Sequence, residues 1–147
     1  MDLLCSLTDV ERQTGIERIN LDVKFLRGER EAKTLTSGKF TPINTLLILV
    51  DGENSGEVFR VPIDGYQGST FKQLSINDNM NTDYMLQIIN LHRRTLKENK
   101  VGSAIPHLNK KLFKAIIVPI PPFSEQKRIV DAIDKAFAKL DSIMESL

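Results

Sequence analysis

A boundary near the C-terminus divides this chain into two differently patterned parts. Residues Pro119-Ile120-Pro121-Pro122 precede a segment with a different, strictly helical pattern. Proline fixes φ and pushes the residue before it to an extended conformation, so this stretch reads as an extended linker. Beyond it, Ser124 suits an N-cap, and Glu125 lies where a helix N-terminus favours an acid. Apolar side chains then recur at Ile129, Ile133, Ala136, Leu140, Ile143 and Leu147, in alternating steps of four and three. That is a heptad seam, flanked by Val130, Phe137 and Met144 at intervals of seven. The 24 residues of 124–147 reach about 36 Å as a helix, more than so small a domain covers. The expected organisation is a domain over 1–118, a Pro-rich linker over 119–123 and a projecting coiled-coil helix over 124–147. The alternative is a helix folded back on its own domain.

Upstream, the pattern is mostly that of strands. Residues 3–8 read as a first strand, followed by a polar turn near Thr14-Gly15. Residues 26–40 are charged and turn-rich. Leu46–Val50 is a continuous apolar run, typical of a buried strand. Asp51-Gly52-Glu53-Asn54-Ser55-Gly56 is dense in turn formers. Shorter strands are expected over Glu57–Pro62 and Thr70–Ile76, with a turn at Asp64-Gly65. Connections this short suit antiparallel pairing rather than helical crossovers. The period then changes: Tyr84, Met85, Ile88, Ile89, Leu91 and Leu96 fit one helical face with Thr82 as its cap, and Gly102 stops the pattern. Asn109 suits the cap of a short helix ending at Lys114, and Ile116–Val118 reads as a strand. The fold class expected is α+β: a small, mostly antiparallel sheet with packed helices, then the long projecting helix.

The 147 residues fit one domain, and a hydrophobic share of 41% suffices for a real core. Cys5 is the only cysteine, so no internal disulfide forms, and a reducing cytoplasm is the expected setting. Met1–Cys5 lacks the charge and length of a signal peptide. The longest apolar run is far below the roughly 20 residues of a membrane helix, so no membrane partner is expected. Charge is uneven. Residues 72–114 hold eight basic and three acidic groups, a local +5 against −4 for the remainder. Such a segment suits a phosphate-binding face, but charge alone favours a solvated helix surface.

The sequence argues against several enzymes. Ile120-Pro121-Pro122-Phe123 has the prolines of an amino-methyltransferase motif, but Ile120 cannot accept a hydrogen bond from a target amine. Asp83 with Glu98-Asn99-Lys100 matches the letters of a nuclease site, yet Asp83 begins and Glu98 ends a predicted helix, about 22 Å apart. His92 and His107 with one cysteine make no tetrahedral zinc set. No phosphate-binding Gly-x-x-x-x-Gly-Lys-Ser/Thr loop occurs, and neither Cys5 nor Ser69 has an evident base partner. No catalytic residue, metal or cofactor is therefore expected.

Taken in order, these segments resemble the specificity subunit of type I restriction–modification systems. The resemblance rests on the apolar strand and Gly-containing turn of Leu46–Val58, on Gly68-Ser69-Thr70-Phe71, and on Gly102-Ser103-Ala104-Ile105-Pro106-His107-Leu108-Asn109. Its most specific part is Ile116–Ile129, with Pro119, Pro121, Pro122, Glu125, Gln126 and Ile129. The match runs over 46–147 and more weakly over Leu4–Val10. The family's subunits hold two target-recognition domains, each followed by a long helix. One is present here, and its first strand begins almost at Met1, which implies a recognition domain shortened at its N-terminus.

The resemblance implies a non-catalytic module that reads part of a split target in double-stranded DNA. It implies partner methyltransferase (M) subunits docked on the helices, and restriction (R) subunits that translocate with ATP. A homodimer through the terminal helix would restore two recognition domains. Competing readings are a truncated fragment that serves mainly as a dimerisation or adaptor module, and a recognition domain from a related single-chain restriction enzyme. Base-reading candidates are Glu53, Asn54, Ser55, Ser69, Thr70, Ser103, His107 and Asn109, which donate or accept at base edges. Phosphate candidates are Lys72, Arg93, Lys110 and Lys111. Asn54 and Ser55 equally suit a turn, Asn109 a helix cap, and His107 a structural histidine. The helix contact is expected at Ile129, Ile133, Ala136, Phe137, Leu140, Ile143 and Leu147.

Overall fold

The computed structural model describes every residue, Met1–Leu147. Seven strands come first: β1 (Cys5–Thr8), β2 (Arg12–Leu21), β3 (Thr34–Thr41), β4 (Leu46–Leu49), β5 (Val58–Arg60), β6 (Gly65–Gln67) and β7 (Phe71–Ile76). A single helical turn, α1 (Val23–Leu26), interrupts them. The helices follow: α2 (Thr82–Leu91), α3 (Arg93–Glu98), α4 (Lys110–Ala115) and α5 (Phe123–Glu145). This is the expected mixed architecture, with strands before helices and a long helix last.

The strands form two units. One is a four-stranded antiparallel sheet in the order β1-β7-β4-β5. The other is a small closed unit in which β2, β3 and β6 each pair with the other two. β4 explains how the units join. Its four residues are all buried, and alternate side chains of a strand point to opposite faces. Leu46, Ile48 and the following Val50 enter a core with Met85, Ile89, Leu96 and Phe113 from the helices. Leu47 and Leu49 enter a second core with Leu21, Val61 and Phe71. A strand buried on both faces must read as an unbroken apolar run.

Several sequence expectations change. The Thr14-Gly15 turn lies inside β2, where the register to β3 shifts between Thr14 and Arg18 and Gly15 takes φ 95°. β2 advances four residues there while β3 advances two, and such extra residues, with Gly15 at positive φ, form a bulge that reads as a turn in the sequence. Residues 26–40, read as turn-rich, begin at the last residue of α1 and contain most of β3. Gly65 opens strand β6, which pairs in parallel with β2. No short loop links those two strands, so loop length gave no sign of it. Asn81 replaces Thr82 as the cap of α2, its side chain accepting from the Tyr84 N–H at 2.9 Å.

The helix expected through Leu96 breaks at His92, which leaves the helical region. Leu91, the last residue of α2, is exposed rather than on the inner face. Ile116–Val118 forms no strand. Its backbone is engaged at its first residue instead, where the Ile116 carbonyl accepts from the Met1 amine at 2.6 Å. Finally, α5 begins at Phe123 with Pro122 in the cap position, so Ser124 lies inside the first turn. The Pro122 carbonyl accepts from the Glu125 and Gln126 N–H groups at 2.9 and 3.1 Å, starting the helix without a side-chain cap. Asn109 does cap α4, accepting from Leu112 N–H at 3.0 Å.

Candidate nucleic-acid interface

The C-terminal edge of β4 builds the candidate site. The turn after it, Asp51–Gly56, is fixed internally by Ser55, whose buried hydroxyl donates to the Gly52 carbonyl at 2.7 Å. The segment 101–108 is strapped against that turn. Val101 and His107 exchange backbone bonds of 2.9 and 2.7 Å, Leu108 N–H donates to Val50 O, and Gly52 N–H donates to Pro106 O. His107 Nδ1 lies 2.5 Å from Asp51 Oδ1. Two loops far apart in sequence thus become one surface.

Beside these loops opens a cleft of about 410 Å³, with Val50, Phe71 and Leu108 among its apolar lining. Its polar lining includes Ser69, Lys72, His107 and Lys110, four of the residues singled out in the sequence. Lys39 and Asp9 also line it. Asp9 lies 2.9 Å from Lys72 and 3.7 Å from Lys39. The hydrogen bond from Lys72, then that lysine's charge, holds the Asp9 carboxyl below its ordinary range. A second groove adjoins through Ser69 and contains Thr70, Arg12, Lys24 and Ser37. A third, lined by Lys72, Lys110 and Lys114, adjoins on the other side. Cys5 lines that third groove, and burial pushes its thiol up to about 11, so it is a poor nucleophile at neutral pH.

The remaining sequence candidates fall into three groups. Glu53, Asn54 and Ser103 lie in the two adjoining loops, with Glu53 3.7 Å from Lys100. Ser55 and Asn109 direct their side chains to their own turn and helix cap. Arg93 on α3 and Lys111 on α4 line none of the three grooves. Reasoning from sequence missed Arg12, Lys24, Lys39 and Lys114. The Thr-rich composition of 34–41 is a strand signal, and it was the only one that pointed to the strand bearing Lys39.

Helix α5 forms a second candidate surface. Gln126 and Val130 are buried at its root, and Ile129 packs against the larger core. Further along, Phe137, Leu140, Ile143, Met144 and Leu147 are 59%, 50%, 54%, 63% and 99% exposed. Ala136 is exposed as well, and Ile133 is half-buried. The helix leaves the domain after about three turns, carrying an uncovered apolar stripe. No helix of the protein is long and apolar enough to cross a membrane. No three His, Cys, Asp or Glu side chains converge so as to hold a metal ion.

The protein is thus a two-core domain with a lysine-lined cleft and an appended amphipathic helix. The chain belongs to the family of type I restriction modification DNA specificity domains, whose sequence profile matches residues 17–146. It is 38% identical over 87 residues to the type I restriction enzyme MjaVIII specificity subunit of Methanocaldococcus jannaschii, covering 58% of this chain and 20% of that protein. Its fold is similar to the HsdS subunit from Thermoanaerobacter tengcongensis, with a TM-score of 0.72 at 16% identity over 99% of this chain and 38% of that one. It is also similar to the type I restriction–modification S subunit from M. genitalium, with a TM-score of 0.64 at 16% identity over 98% of this chain and 39% of the other. The chain thus spans well under half the length of these relatives.

Proposed function

We propose that this chain is a sequence-reading DNA module of a type I restriction–modification system. It recognises one part of a split target in double-stranded DNA and performs no chemistry itself. Partner M subunits methylate the DNA and R subunits cleave it, in the cytoplasm, and α5 contributes to docking them. The observation that carries this reading is the convergence of Lys39, Lys72 and Lys110 with Ser69 and His107 in one cleft. Lysines supply sequence-independent phosphate contacts, and neighbouring loop side chains supply the donors and acceptors that distinguish bases. The family membership supports the same assignment.

The exposed stripe on α5 supports assembly. A second copy packed antiparallel along it, the direction implied by the family resemblance, gives two recognition domains with a fixed separation. The test is reconstitution with a type I methyltransferase subunit from the same organism. Methylation of a defined sequence that requires this chain is the expected result. Turnover by this chain alone, or methylation indifferent to its presence, contradicts the proposal.

A further inference from the structure

Two lysines from different sheets converge on one carboxylate. Lys39 belongs to β3 in the small closed unit, and Lys72 belongs to β7 in the four-stranded sheet. Asp9 lies in the three-residue connection between β1 and β2. Its Oδ2 is 2.9 Å from Lys72 Nζ and its Oδ1 is 3.7 Å from Lys39 Nζ. The lysine side chains are the sheltered partners, 24% and 29% exposed, while that of Asp9 is 62% exposed. The two ammonium groups are therefore held in place, and the anion is the outer, replaceable member.

We propose that Lys39 and Lys72 form a site for one phosphodiester of bound nucleic acid, which Asp9 occupies in the free protein and vacates on binding. This rests on the DNA-reading function proposed above. A carboxylate and a phosphodiester each offer oxygens to which an ammonium donates, so one stands in for the other. Exposed lysine–carboxylate pairs add little to stability, so Asp9 is a weak holder that a polyanion displaces. Lys110 adds a third cation to the same cleft. The cleft's other acid, Asp51, is engaged by His107. With Asp9 in place the lysine pair presents one net positive charge. Without it, the pair presents two. Asp9 thus weakens binding to any DNA alike, which raises the relative weight of base contacts.

The test compares wild type, Asp9→Asn and Asp9→Ala on a short mixed-sequence duplex across a salt series, with melting curves to verify folding. Both variants should bind about two- to fivefold more tightly, the range of a weak surface ion pair. Their salt slope should steepen by about 0.9, one extra counterion released. In a Lys39→Ala/Lys72→Ala background Asp9→Asn should have no effect, and Asp131→Asn, on α5, should leave the slope of the wild type unchanged. Unchanged or weaker binding by folded Asp9 variants overturns the proposal. So does an equal gain from Asp131→Asn, which would mark a bulk-charge effect. If the wild type binds no duplex even at low salt, the DNA reading fails instead. The site is then judged with inorganic pyrophosphate, followed by side-chain NMR shifts of Lys39 and Lys72. Tighter pyrophosphate binding by Asp9→Asn sustains an oxyanion site there, and equal binding refutes it.

Discussion

The side-chain carbonyl of Gln126 on α5 accepts a hydrogen bond from the Asn81 backbone N–H, 2.9 Å away at the start of α2. The same side chain donates through Nε2 to the Pro121 carbonyl, also at 2.9 Å. Gln126 is 1% exposed, so one amide closes both a helix entrance and the linker within the core. Tyr84 adds a third tie, its hydroxyl donating to Pro119 O at 2.8 Å. The proline segment is therefore a rigid bracket. It sets the angle at which α5 leaves the domain.

Replacing Gln126 by Leu keeps its volume roughly but leaves the Asn81 N–H and the Pro121 carbonyl buried without partners. Each orphaned group costs about 1–3 kcal/mol, so a total loss of about 2–6 kcal/mol is expected. Denaturant unfolding checks this, as a lower midpoint with an unchanged slope.

The outer half of α5 should behave differently. Phe137 and Leu140 are more than half or half exposed in the single chain, so Phe137→Asp/Leu140→Asp should leave the domain's stability nearly unchanged. If a second copy covers the stripe, the introduced charges are buried unpaired at the seam, which is strongly unfavourable. Sedimentation should then show a wild-type dimer and a folded monomeric variant. A wild-type monomer contradicts the homodimer.

What was legible in the sequence divides along physical lines. The heptads of α5, the apolar run of β4 and the Asn109 cap of α4 are local patterns, and each is where it was expected. The β2–β6 parallel pair joins residues 46 apart in register, as at Ile19 and Gly65, and no local pattern encodes such a pairing. Gly15 and Gly65 imitated turns because glycine serves bulges and close strand approach as well. The cleft was half-legible for the same reason. Loop residues such as Ser69 and His107 stand out in the sequence, whereas Lys39 acquires meaning only when β3 lies beside Asp9 and Lys72.

Close approach also yields a direct prediction. A Cβ added at Gly38 on β3 meets Tyr66 Cβ at 2.6 Å and Cγ at 2.8 Å. Tyr66 is fully buried and bonded through its hydroxyl to Ile16 O, so it has nowhere to move. Gly38→Ala should cost about 1–3 kcal/mol, the usual range for overpacking. Thermal melting reads the loss, and an unaffected midpoint rejects the close packing of β3 on β6.

Neighbouring lysines on α4 should separate cleanly. Lys110 lines the cleft and Lys111 does not. Lys110→Ala should weaken binding almost equally on all duplexes and reduce the salt slope by about 0.9, one phosphate contact. Lys111→Ala should leave the slope unchanged. The reverse order places the DNA on the other side of α4.

Equilibrium selection decides whether this chain reads DNA sequence. The purified chain is incubated with a pool of randomised duplexes, and the bound fraction is sequenced at two salt concentrations. A sequence reader enriches a short defined motif, with each mismatch costing about 1–3 kcal/mol, and overall binding falls as salt rises. Folded protein that retains duplexes without any preferred motif, or retains none even at low salt, is not a sequence reader.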